Sequence, residues 1–333
     1  MILRTLKSNR SVNYLLFPLL AVLLWLHTLL NPHAYRFFPG EKENLLFAPV
    51  ARWLEGYLFV QNALALLLVI LLAFLVQQVN NQYNFIRIRT MLPAPLFIII
   101  VSGFTQMQTL HQVYFASVFV ILAIYRFFNA FDKAKPYSAA FDSGFLLGLA
   151  SLFYFNIFIL FPAFFFGIGI LARENRWRQY VLIFLGFLLP LVFALGYAFL
   201  TDSFLELLKT FERNVLSPNN HFKSNIPLHI LLGYLGVLTI IGSIKIIQQY
   251  DTKKVSTRKY FSVFFLIFIF SLISFIFIPA TSLEMLIITA IPLTFLISNL
   301  FVFMKSRFWG ELLFSILFAI VLVLQFLASS YYG

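Results

Sequence analysis

Apolar runs close to twenty residues long recur from one end of this chain to the other, and they decide what it can fold into. Residues 14–30, 57–77, 179–200, 228–247, 260–279, 284–304 and 311–329 each carry at most one charged side chain. At 1.5 Å per helical residue, such a run matches a hydrocarbon core about 30 Å thick. Period-two alternation is absent, so the runs read as helices and not as barrel strands. Composition agrees, with 61% of the 333 residues hydrophobic and 11% charged, where a soluble domain carries about 25% charged residues. The chain reads as one all-α integral membrane domain over residues 1–333, a polytopic helix bundle. It has no cysteine, which excludes disulfides, thiolate metal sites and cysteine nucleophiles.

Two longer apolar regions, 91–128 and 139–172, need dividing. The first is interrupted by TQMQTLHQ at 105–112, a polar stretch that cannot face lipid and so marks the tip of a helical hairpin. The second lies between the basic clusters RFFNAFDKAKP and RENRWR. A single crossing would put those clusters on opposite sides of the membrane, whereas a hairpin puts both on the cytoplasmic side. The hairpin gives about eleven transmembrane helices, with the N-terminus cytoplasmic and the C-terminus periplasmic. Eighteen of the 24 Lys and Arg residues then face in, as the positive-inside rule requires. Only Arg36, Lys42, Arg52, Lys209, Arg213 and Lys223 face out. The same rule accounts for the net charge of +12: the basic loops meet lipid phosphates, and no basic run alternates with aromatics as a nucleic-acid surface would. The basic, apolar N-terminus has no small-x-small cleavage site, so it reads as a retained first helix.

Candidate chemistry collects on the external side. Glu41 and Glu43, in GEKEN after Pro39-Gly40, form an acid pair suited to a general base or to a divalent cation. Leu46, Val50, Trp53 and Leu54 have helical spacing, so 43–55 is expected to be an interfacial helix. Glu55 enters an apolar span, where an ionised group needs a partner. A second interfacial helix is expected after the Ser203/Glu206 capping box, with Phe204, Leu207, Leu208, Phe211 and Val215 as its apolar stripe. Beyond it, SPNNHFKSN holds His221 and Lys223. Glu284 starts a late helix, where the dipole favours a carboxylate. Asp142 reads as a helix-start cap, Gly144 and Gly148 as a close-packing face, and Tyr154–Asn156 as a hairpin tip with Asn156 capping the returning helix. His111 stands in the other tip. The five histidines have no metal-motif spacing. No cofactor is evident, although a divalent cation at the acids stays open.

NRSVNYLLF, MLPAPLF, FDSGFLLGLASLFY and NRWRQYVLIFLGFLLP resemble a Gram-negative bacterial family of integral membrane proteins of unknown function, over nearly the whole chain. More remotely, the layout is similar to the GT-C class of polytopic glycosyltransferases. That resemblance implies a polyprenyl-phosphate-linked substrate and an acid in the first external loop, which only Glu41 and Glu43 match. The expected function is therefore an inner-membrane protein whose outward recess handles a lipid-linked substrate. Glu41 and Glu43 are the catalytic candidates, and Arg36, Arg52, Glu55, His111, His221, Lys223 and Glu284 the binding candidates. The chain departs from the class in having no Asp in that loop and no soluble C-terminal domain. Two other readings stay open: an accessory or scaffold subunit among other envelope membrane proteins, and a transporter or lipid flippase.

Overall fold

The computed structural model describes residues 2–7, 13–38, 40–86, 90–174, 177–217, 226–248 and 253–332. These residues form fifteen α-helices and no strand. The first are α1 (Ile2–Lys7), α2 (Asn13–Leu24), α3 (Leu26–Leu30), α4 (Ala48–Trp53) and α5 (Leu58–Tyr83). Next come α6 (Pro93–Ser102), α7 (Gln112–Phe128), α8 (Tyr137–Phe153), α9 (Phe161–Leu171) and α10 (Trp177–Leu200). The last are α11 (Phe204–Leu216), α12 (Ile226–Gln248), α13 (Val255–Phe277), α14 (Met285–Phe303) and α15 (Arg307–Tyr332). Six of them, α5, α10, α12, α13, α14 and α15, are long and apolar enough to cross a membrane. The shorter apolar helices make up the first arm and the two divided regions.

Both divided regions fold back on themselves. The amide of Asp132 donates to Leu171 O, and that of Arg173 to Lys133 O, each at 3.2 Å. The chain entering α8 and the chain leaving α9 therefore meet, which brings the two basic clusters to one end of the bundle. In the other hairpin, Gln77 Nε2 donates to Thr90 O at 3.0 Å, and Tyr83 Oη donates to Tyr125 O at 2.6 Å. The start of α6 and the end of α7 thus lie together beside the end of α5. Lys7 donates to Phe301 O and Lys253 to Asn299 Oδ1 at this same basic end. The opposite end carries Glu41 and Glu284 and is called the acid end below.

α6 and α14 form the centre, with every residue of α6 and Met285 to Phe301 of α14 buried. Around them, α8 packs on α10 at backbone distance. A Cβ built on Gly144 would lie 2.2 Å from Ile183 O, and one on Gly186 would lie 2.3 Å from Phe141 O. The glycines are the packing face that their spacing predicts. The first arm is nearly one helix, since Trp25 N donates to Ala21 O and Leu29 N to Trp25 O. It is fixed by the Trp25 indole, which donates to Ser102 Oγ at 3.0 Å.

Several local expectations are corrected. Asp142 does not cap α8; it stands within the helix and accepts from Ser138 Oγ one turn back. The helix expected over 43–55 is the six-residue α4, because residues 40–47 are spent in turns. Ser203 sits at the start of α11 but makes no side-chain cap there, and its hydroxyl turns to Ala198 O and Thr201. The inward face of α11 is Leu207, Thr210 and Asn214, two of the three polar, because that face meets the backbone and amides of the first loop. The stretch 105–112 is the turn between α6 and α7 that its polarity predicts, and 107–112 is buried there. Gln108 finds partners inside, since Thr28 Oγ1 donates to Gln108 Oε1 at 2.7 Å and Gln108 Nε2 to Ser102 O at 3.1 Å, whereas Thr109 Oγ1 and Gln112 Nε2 are buried without one.

Candidate functional site at the acid end

The loop that carries Glu41 is held by amides. Asn44 Nδ2 is within 2.9 Å of both Glu41 O and Gln112 Oε1, and 3.2 Å from Asn214 Oδ1. Asn214 Nδ2 donates in turn to Gly40 O at 3.0 Å and Thr210 O at 2.8 Å. Gly40 has φ +93°, and a Cβ there would meet Arg213 Cβ at 2.6 Å, so both conformation and space demand glycine. This stitching turns Glu41 inward, 4% exposed, where Oε2 accepts from Phe38 N at 2.8 Å.

Glu284 lies at the start of α14 and is 0% exposed. Its carboxylate does not cap the helix. Oε1 turns back to accept from Ser282 N at 2.7 Å and from Tyr154 Oη at 3.0 Å. Tyr154 Oη also accepts from Asn156 Nδ2 at 3.2 Å, and Asn156 serves here, not as a helix cap. Glu284 Oε2 has no hydrogen-bond partner. Between the two acids stands a ring cluster centred on His111, with Tyr35 at 4.7 Å, Phe37 stacked at 5.5 Å and Tyr154 at 6.0 Å between centroids. His111 Nδ1 accepts from Val113 N at 3.2 Å, which assigns the ring proton to Nε2 in the neutral imidazole.

Burial, and then repulsion from Glu284, raise the Glu41 carboxyl above its usual range, against the opposing Phe38 amide. Burial likewise raises Glu284, and its donors Ser282 N and Tyr154 Oη offset only part of the rise. The phenols of Tyr154 and Tyr35 are pushed up by burial and then by Glu284. Two carboxylates in one low-dielectric site cannot both ionise cheaply, so burial and their mutual repulsion favour the protonated form. Among the described residues, no three His, Asp or Glu side chains are arranged to hold a metal ion.

Glu41, His111 and Glu284 are thus brought together, and the other predicted residues are not. Glu43 is exposed and pairs with Arg213 at 3.2 Å. Glu55 is exposed and pairs with Lys42 at 2.8 Å. Arg36 is exposed. Arg52 lines a separate groove of about 560 Å³ with Lys42, Glu43, Tyr197, Thr201 and Glu206. His221 and Lys223 lie outside the described residues. Sequence reasoning gave Tyr154 and Asn156 a structural role alone and missed Tyr35, Asn44 and Asn214. The available signal was that both hairpin tips interrupt apolar runs with hydrogen-bonding side chains, and these tips deliver His111 and Tyr154 to one place.

These features define a class, an all-helical bundle of the multi-pass membrane type with a buried acid pair at one end. Residues 51–332 match the model of a family of unknown function (DUF6427), and the chain belongs to that family. No curated protein and no solved structure matches it.

Proposed function

We propose that the acid end faces outward from a bacterial inner membrane, and that the chain is a GT-C-like transferase acting there on a polyprenyl-phosphate-linked substrate. The observation that carries this reading is the convergence of Glu41 and Glu284, both buried and close enough for Glu284 to repel the Glu41 carboxylate, with Tyr154 bonded to Glu284 and packed on His111. One carboxylate of the pair takes the proton of an acceptor hydroxyl as its oxygen bonds to the sugar's anomeric carbon. The bond from that carbon to phosphate breaks, and the polyprenyl phosphate leaves. General-base assistance of this kind contributes roughly 10²–10⁴-fold. Arg52, in the adjacent groove, is the candidate for the phosphate through charge-assisted hydrogen bonds. The outward orientation rests on the basic clusters gathering at the opposite end.

The test is sugar transfer from a polyprenyl-phosphate-linked donor by the purified protein in lipid nanodiscs. Wild type and Glu43→Gln should transfer, and Glu41→Gln and Glu284→Gln should lose roughly 10²-fold or more. Activity retained in both buried variants would remove the assignment. Absence of transfer together with stoichiometric co-purifying membrane proteins would favour the scaffold reading.

A further inference from the structure

A second cavity, of about 520 Å³, is mostly apolar and lies between α12 and α13 with α14 as its floor. Leu232, Leu235 and Gly236 form one wall, and Phe268, Leu272 and Phe275 the other. The floor runs from Leu286 to Leu293, about 10 Å along the helix axis. Gly236 is exposed, so the cleft opens sideways on the surface that a membrane would cover. Thr239 and Thr289 also line it, but their hydroxyls donate to Leu235 O and Met285 O. At the head of the cleft the chemistry changes. Thr281 lines it there, 6% exposed, and its hydroxyl has no hydrogen-bond partner. The neighbouring Ser282 hydroxyl and Glu284 Oε2 are buried and unpartnered as well.

From this geometry we infer that the cleft binds a single-chain lipid, its hydrocarbon tail between α12 and α13 and its polar head at Thr281. Three features select this occupant. Hydrocarbon is the medium at the depth of these apolar helices. A cleft of about 520 Å³ has room for one hydrocarbon chain, whereas a diacyl lipid brings two. The unsatisfied hydroxyl at one end demands a hydrogen-bonding group, which a purely apolar occupant lacks. The inference deepens the function proposed above by placing the lipid of the lipid-linked substrate, and it rests on that reading for its biological meaning.

The experiment is photo-crosslinking of the full chain in nanodiscs, with peptide mapping of the adducts. The probes are a polyprenyl phosphate bearing a diazirine in its chain and a diacyl phosphatidylethanolamine bearing the same group. A Cβ on Gly236 or on Gly233 meets nothing within 4 Å, so both sites accept a side chain, but only Gly236 lines the cleft. The expected result is polyprenyl labelling of α12, α13 and α14 that falls at least tenfold in Gly236→Phe and is unchanged in Gly233→Phe. Equal or stronger labelling by the diacyl probe, no labelling of the cleft, or equal loss in both variants overturns the inference. Glu41→Gln and Glu284→Gln separate it from the acid-centre reading. If they keep transfer while the cleft still labels, the catalytic assignment fails and the lipid site stands. If they lose transfer while the cleft never labels, the reverse holds.

Discussion

Replacing Glu284 by Gln should make the protein more stable at alkaline pH and leave it nearly unchanged in acid. Gln preserves the Oε1 acceptor that Ser282 N and Tyr154 Oη use, and it removes the charge. Burial raises the Glu284 and Glu41 carboxyls in the folded protein, so the folded state binds protons that the unfolded state has released. The stabilising effect of these retained protons is fully present below the ordinary glutamate range. It is lost as pH rises through the raised folded-state midpoints. Each pH decade by which a midpoint is raised corresponds to about 1.4 kcal/mol. With Glu41 pushed up to about 8 and Glu284 to about 7, the pair should cost the wild type on the order of several kcal/mol at pH 9 relative to pH 5. At low pH a protonated carboxyl and an amide present similar unsatisfied groups, and the variants should nearly coincide. The assay is thermal unfolding in one detergent across pH 5–9, following the difference between wild type and Glu284→Gln. A difference that does not grow with pH would refute the reasoning, because Glu284 would then ionise as easily folded as unfolded.

Tyr154→Phe removes the phenol that joins Asn156 to Glu284. It should cost about 1–3 kcal/mol by leaving buried groups unpaired, measured by the same unfolding assay, and should reduce transfer. Gly144→Leu should destabilise the fold by several kcal/mol, because its Cβ would lie 2.2 Å from Ile183 O. Gly196→Ala, inside α10 where a Cβ meets nothing within 4 Å, should not destabilise and should gain up to about 1 kcal/mol in a melting comparison. Glu43→Gln breaks only an exposed pair with Arg213 and should change stability by less than about 1 kcal/mol.

The class of the fold was legible because membrane helices must satisfy their own backbone, which leaves long apolar runs in the sequence. The fold-back of 139–172 was legible from charge, since RFFNAFDKAKP and RENRWR belong together, and the contacts of Asp132 and Arg173 bear that out. Gly144 and Gly148 announced their packing by spacing alone. The candidate site was only half legible. Glu41 and Glu43 look equivalent in GEKEN, but Asn44 and Asn214 bury one and leave the other in solvent. Local rules favoured helix caps for Asp142, Asn156 and Glu284. Tertiary contacts won at Asn156 and Glu284, because Tyr154 offered a partner from a distant hairpin. Asp142 lost the role because α8 begins earlier, at Tyr137.

The most direct test of the central claim is an infrared difference measurement on the carboxyl groups near neutral pH. If Glu41 and Glu284 share one buried site, the wild type shows a protonated-carboxyl stretch at pH 7 that disappears in the Glu41→Gln, Glu284→Gln double variant and is unaffected by Glu43→Gln. A wild-type spectrum with no protonated carboxyl at that pH, or one identical to the double variant's, contradicts the account.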